Sequence, residues 1–160
     1  MIPKTKLTKP SPATGFSHLD ASGAARMVDV GHKPLQRREA VATGVIHCLP
    51  ATIRLLKASA LPKGDVLATA RLSGIMAAKR TAEWIPLCHT LPLDKLSVDF
   101  KVKKDHIVIT AVAATHAKTG VEMEALVAVS AAALTLYDMM KAVDKSMLID
   151  AIHLLEKTKQ

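Results

Sequence analysis

Aromatic residues are nearly missing from this chain. Phe16, Trp84, Phe100 and Tyr137 are its aromatic side chains, 2% of 160 residues. A core must therefore be built from Ala, Val, Leu, Ile and Met. A nucleic-acid surface that stacks bases on aromatic rings has little to work with. Cysteine is scarce too. Cys48 and Cys88 form no CxxC pair, which excludes a zinc ribbon and a disulfide scaffold and fits a reducing cytoplasm. No apolar run resembles the core of a signal peptide, because Pro3, Pro10 and Pro12 interrupt a polar N-terminus. The longest uncharged helical stretch, Ala125 to Tyr137, is shorter than the roughly 18–20 residues a bilayer span needs. These absences predict a soluble, cytoplasmic protein that does not engage a membrane.

What is present is ordinary globular composition, with 49% apolar and 22% charged residues. The length suits one domain. Residues 1–17, rich in Lys, Pro, Thr and Ser, read as a disordered arm, leaving 18–160 as a single domain. Net charge is +8, which favours polyanionic ligands such as a phosphate-rich metabolite or nucleic acid.

Periodicity gives the element order. Arg26–Val30 reads as an edge strand or lead-in and Arg38–Cys48 as a strand. Pro50–Ala60 reads as a helix opened by its proline. Asp65 can cap a second helix running to about Trp84. Pro86 and Pro92 bracket a rigid loop. Leu96, Val98, Phe100 and Val102 alternate with polar residues, and Lys104-Asp105 turns this strand into Ile107–His116. A long helix follows over about Val121–Val143, then a final strand over Met147–Leu155. Strand, two helices, hairpin, long helix, strand is an α+β pattern, an antiparallel sheet with helices on one face. The long helix is apolar nearly all round. One sheet covers only one side of such a helix, so a partner subunit is expected on the other.

Four polar clusters interrupt this apolar context. Lys63-Gly64-Asp65, before a helix, can hold an anion or be an ordinary loop with a capping Asp. Lys79-Arg80, in a last helical turn, can serve a site or simply complement the helix dipole. Cys88-His89 suggests a hydrogen-bonding or proton-transfer histidine with Cys88 as lining; as adjacent residues of an extended loop they are expected to point apart. A zinc site or hydrolase needs more ligands, and His116 with the glutamates would have to supply them. The fourth cluster is the long helix itself. Glu122 and Glu124 open it, and Asp138 with Lys141 closes it. A carboxylate in Leu134–Met140 is costly unless paired or used, and Lys141 at i+3 can hold it ionised. Lys118-Thr119-Gly120 invites comparison with penicillin-recognising enzymes, but no serine here has a lysine three positions on. Glu124 and Asp138 would stand about 21 Å apart along one helix. They cannot meet in one small-molecule site within a subunit. Antiparallel packing of two copies of the helix would bring the start of one near the end of the other.

The motifs behind these clusters resemble the MoaC family of molybdenum cofactor biosynthesis. The matching segments are Met27-Val28-Asp29-Val30, Lys63-Gly64-Asp65-Val66 through Lys79-Arg80-Thr81, and Ile85-Pro86-Leu87-Cys88-His89. They continue with Lys118 through Leu126 and Ala133 through Val143. The resemblance implies a ferredoxin-like subunit, assembled as a hexamer of three dimers with sites at the dimer interface. It implies conversion of 3′,8-cyclo-7,8-dihydroguanosine triphosphate into cyclic pyranopterin monophosphate and pyrophosphate. It makes Asp138 and Lys141 the central catalytic pair and Lys63 and Lys79 further catalytic or phosphate-side lysines. Leu87, Cys88, His89, Glu122, Met123 and Glu124 would bind substrate, and Asp29 would lie near the site. No metal or cofactor of the protein's own is implied, although a divalent ion can accompany the triphosphate. Thr90 departs from the family's usual proline after the histidine, and residues 1–17 have no counterpart in the family core. The alternative reading is a basic, non-catalytic nucleic-acid-binding protein.

Overall fold

The computed structural model describes residues 23–160, so the arm read at 1–17 lies outside the described residues. The elements are β1 (Gln36–His47), α1 (Pro50–Lys57), α2 (Val66–Ala78), α3 (Thr81–Trp84), β2 (Lys95–Val102), β3 (His106–Ala117), α4 (Glu122–Met140) and β4 (Leu148–Lys159). The four strands form one antiparallel sheet in the order β2-β3-β1-β4. That order, with α2 and α4 as the connecting helices, is the ferredoxin-like α+β arrangement.

Alternation decides the layers. Ala40, Ala42 and Ile46 of β1 meet Ile107, Ile109, Ala111 and Ala113 of β3 on one buried face. Val98 of β2 joins them. The helices lie on that face. The β2–β3 hairpin closes where Lys103 N–H donates to the His106 carbonyl, at 2.8 Å, around Lys104-Asp105 as expected. β1 and β3 pair without interruption from Gln36↔Ala117 to His47↔His106. β4 pairs with β1 through register shifts near Ala42 and Val45.

α4 is the spine. By length and composition it is apolar enough to cross a membrane, which the expected shorter stretch was not. Most of it, however, is buried inside the fold, as a core helix is. Its cover differs from the expectation. α2, rather than a partner subunit, lies along the second side of α4, so the premise for a partner drawn from the helix alone does not hold. Small residues allow this. A Cβ at Gly74 would come within 2.7 Å of the Ala128 carbonyl oxygen and 3.4 Å of the Ala132 Cβ. The Thr135 hydroxyl donates to Ser73 at 2.8 Å and ties the same seam.

Two further expectations change. Arg26–Val30 forms no strand; the chain there is irregular, with a single bridge residue at Ala25. The second helix does not reach Trp84. It stops at Ala78, with Lys79 as its last cap, and α3 starts again at Thr81, whose hydroxyl donates to the Ala78 carbonyl at 2.9 Å. The chain bends there, so Lys79 and Arg80 sit at a corner rather than in a helical turn. Cys48 and Cys88 are free thiols.

Candidate active site

Two polar centres occupy the two ends of α4. At the C-terminal end, Asp138 is bracketed by two ammonium groups. Lys141 Nζ lies 2.6 Å from Oδ1 and Lys63 Nζ lies 2.7 Å from Oδ2. Lys63 also donates to the Asp138 backbone carbonyl at 3.0 Å. The Lys141 hydrogen bond, followed by that of Lys63, holds the Asp138 carboxyl down at about 2. In return Asp138 raises Lys141. The carboxylate is thus an anion at neutral pH with an ammonium on each oxygen. All three side chains remain about half exposed, so a ligand can reach them.

α4 supplies Asp138 and Lys141 one turn apart. The bend before α2 supplies Lys63, where Asp65 caps α2 by accepting from Ala68 N–H at 3.0 Å. The capped helix start and the buried Leu61 and Val66 fix the bend on both sides of Lys63.

At the N-terminal end of α4 lies a cleft of about 370 Å³. Leu87, Cys88 and His89 form one wall, Glu122, Met123 and Glu124 another, and the 119–120 turn joins them. Every substrate-binding residue expected from sequence is therefore in one place. Cys88 and His89, expected to point apart, both contribute to the wall. Glu124 is only 4% exposed, and burial raises its carboxyl, with the neighbouring Glu122 adding to the rise. Among the described residues it makes no salt bridge with a lysine or arginine. Burial also raises the Cys88 thiol, and the Glu124 charge raises it further, which favours the neutral thiol over the thiolate. A second small pocket, about 80 Å³, holds Lys79 and Arg80 and shares His89, Leu91 and Glu124 with the first. Lys79 accordingly belongs to this end and not to the Asp138 cluster.

Sequence reasoning missed several neighbours. Val28, Val30 and Lys33 close the cleft from the irregular segment before β1. Asp29 turns that segment, its carboxylate accepting from Gly31 N–H at 2.7 Å, and Lys118 Nζ donates to the Gly31 carbonyl at 2.6 Å. Arg38, Lys157 and Lys159 line an adjoining pocket of about 270 Å³ that shares Gly120 and Glu122 with the cleft. Lys157 pairs with Glu122 at 3.3 Å. Arg38 Nε is buried with no hydrogen-bond partner among the described residues. A signal for Arg38 existed. It shares the alternation of Ala40, Ala42 and Ile46, and a charge on the core-facing side of a strand is costly without a use.

No three His, Cys, Asp or Glu side chains converge as a metal-ligand set among the described residues. His116, the extra ligand the hydrolase reading needed, instead meets Asp94 at 2.7 Å.

This pattern of residues extends over the whole described chain. The MoaC family model matches residues 27–160. The chain belongs to the MoaC family. It is 58% identical to the cyclic pyranopterin monophosphate synthase of Chloroflexus aggregans over 144 residues, 89% of this chain and 87% of that one. The Nostoc sp. protein of the same name is 54% identical over 151 residues, 93% of this chain and 90% of the other. The one from Rhodospirillum rubrum is 53% identical over 156 residues, 95% and 94% of the two chains. Membership in this family fits a site built to process a small molecule, with polar centres at helix ends around shallow clefts.

Proposed function

We infer that this chain is a cyclic pyranopterin monophosphate synthase of molybdenum cofactor biosynthesis, a lyase that takes 3′,8-cyclo-7,8-dihydroguanosine triphosphate to cyclic pyranopterin monophosphate and pyrophosphate. The convergence of Lys63 and Lys141 on Asp138 carries this reading. Lys63 comes from a bend 75 residues upstream of Asp138, yet its ammonium meets both the side chain and the backbone of that residue. Opening a purine ring and closing a pterin ring require repeated proton transfers. The ammonium groups on the two carboxylate oxygens can give a proton to the substrate and take one back, while the ionised Asp138 keeps both in place. In this reading Asp138 and Lys141 handle protons during ring rearrangement. Lys63 meets the negative charge that grows as pyrophosphate leaves. The buried Glu124, with His89 beside it, binds the neutral heterocycle by hydrogen bonds. Arg38, Lys157 and Lys79 supply positive charge around that cleft for the phosphates.

The site is composite in this reading. Glu124 and Asp138 are on one straight helix, about 21 Å apart at 1.5 Å per residue. A substrate touching both kinds of residue draws them from two chains. A two-fold pair of subunits would provide two equivalent sites, and three such pairs would make the hexamer. An apolar patch supports a second copy, since Leu72 and Met76 of α2, Trp84 of α3 and Leu134 of α4 are more than half exposed. The nucleic-acid alternative gives no reason for two lysines converging on Asp138 or for a buried Glu124.

The test supplies the purified protein with the cyclic dihydro-GTP intermediate made in situ by the preceding radical enzyme. Pterin product and pyrophosphate are then measured for wild type and Asp138→Asn. Product from wild type alone is expected. A folded wild type without product would overturn the assignment, and product from both would reduce Asp138 to a structural ion pair. Turnover unchanged by a chelator would set aside a requirement for a divalent ion.

A further inference from the structure

Asp144 lies outside both polar centres, yet it is a charged side chain only 2% exposed. Its carboxylate is fully used. Oδ2 accepts from Leu49 N–H at 2.7 Å and from the Thr52 hydroxyl at 3.0 Å. Oδ1 accepts from the Ser146 N–H at 3.0 Å and its hydroxyl at 2.7 Å. These bonds keep it ionised against the penalty of burial.

The partners explain the burial. Leu49 is the N-cap of α1, but leucine offers no capping oxygen, and Pro50 follows it. Asp144 supplies the missing cap from 95 residues away. It does so from a turn wound onto the end of α4, where Val143 and Asp144 N–H both donate to the Met140 carbonyl, at 3.0 and 3.1 Å. The clamp therefore joins the end of α4 to the start of α1. α1 is otherwise held through Ile53 in the core and Leu56 packed against it. Only Thr52 and Ile53 of its residues are buried, and it takes part in none of the extensive helix or sheet interfaces. From α1 the chain runs through Leu61 to Lys63, which returns to α4 at Asp138. Clamp and ion pair close the same ring of structure. The ion pair is half exposed, and exposed pairs are weak locks.

We propose that Asp144 is a positioning residue, which holds Lys63 in register with Asp138 and Lys141 by fixing α1 to the end of α4. This rests on the reading of those three residues as catalytic. Asp144→Asn keeps the shape but turns an amide NH2 toward donors. Its kcat is expected to fall by roughly ten- to a hundredfold with KM nearly unchanged. Thr52→Val removes one of the clamp's bonds and should give a smaller kcat loss in the same direction. Ile109→Val, a core change beneath the sheet, serves as a control of comparable thermal destabilisation and should keep wild-type kcat.

Amide hydrogen exchange gives a readout independent of turnover. In Asp144→Asn, exchange should speed up over residues 49–65 while the α4–sheet core stays protected. Wild-type kcat in a folded Asp144→Asn protein would overturn the proposal. So would equal kcat losses in the control, a loss confined to KM, or unchanged exchange over 49–65. Should Asp144→Asn fail to fold, wild-type kcat and exchange in Thr52→Val would overturn it. If wild type itself makes no product, the catalytic reading fails, and the exchange experiment still decides whether the clamp exists.

Discussion

Asp138 and Glu124 are carboxylates of the same helix with opposite electrostatics. Asp138 is exposed and held at about 2 by two ammonium groups. Its folded value is below its unfolded one, so its contribution to stability is present above the unfolded value near 3.8. That contribution is lost as pH falls from there through about 2. Asp138→Asn should lower kcat by roughly 10²–10⁴ with only a small drop in the thermal midpoint at neutral pH, because the ion pairs are half exposed, read by the coupled assay and by thermal melts. Glu124 is buried and its carboxyl is raised above 4.5. In the window between 4.5 and that raised value the folded state binds the extra proton, so stability falls as pH rises through it. Glu124→Gln should therefore raise the thermal midpoint at pH 7 while activity is lost. The stability gain should vanish below about pH 4.5 in melts across pH. A variant that gains stability as it loses function marks a carboxylate kept for chemistry.

At the scale of elements, two local geometries can be tested. α1 ends in a Schellman turn, with Ala60 N–H donating to Leu55 and Ser59 N–H to Leu56. The left-handed residue of this turn is Ser59, at φ 53°. Glycine is at ease there, so Ser59→Gly should stabilise by about 0.5–1 kcal/mol in urea melts. The α2–α4 seam gives the opposite sign. Gly74→Ala improves helix propensity by about 1 kcal/mol. The new Cβ nonetheless meets the Ala128 carbonyl, a backbone group that cannot swing aside. Net destabilisation of about 1–3 kcal/mol is expected. The seam also shows why the sequence misjudged what covers α4. The α2 residues Ala70, Gly74, Ala77 and Ala78 are small and buried, while Leu72 and Met76 are exposed. The seam is made by small residues, so no large apolar stripe along α2 marks it in one dimension.

At the scale of the whole molecule, the question is how two centres about 21 Å apart serve one reaction. A composite site makes a sharp prediction. Asp138→Asn and Glu124→Gln should each be inactive alone, yet mixing them in equal amounts under subunit exchange should restore about a quarter of wild-type activity. Half the pairs would be mixed, and each would hold one intact site of its two. No recovery despite demonstrated exchange would place both ends of the helix in separate roles. Charge on the apolar patch, as in Leu72→Lys with Met76→Glu, should lower the molar mass measured by light scattering, with activity falling alongside it.

The strands were legible because β1, β2 and β3 alternate, and alternation fixes which side faces a core whatever the partner. The glutamates, the Cys-His loop and the Asp138–Lys141 pair were legible because each sits within a few residues of its neighbours. A polar group in apolar company stands out in one dimension. The join of Lys63 to Asp138, the placing of Lys79 with Glu124, and the Asp144 cap of α1 were not legible. Each links residues far apart in the chain, and only the folded path of α1, α2 and α4 sets those distances. Arg38 lies between. Its place on the core-facing side of β1 was open to inspection, but its buried, unpartnered Nε appears only once β1 lies beside the start of α4. Sequence alone thus determined the order of elements and the local chemistry at each end of α4. Tertiary structure decided which charges meet, because Coulomb and hydrogen-bond energies depend on distances of a few ångströms that no spacing along the chain contains.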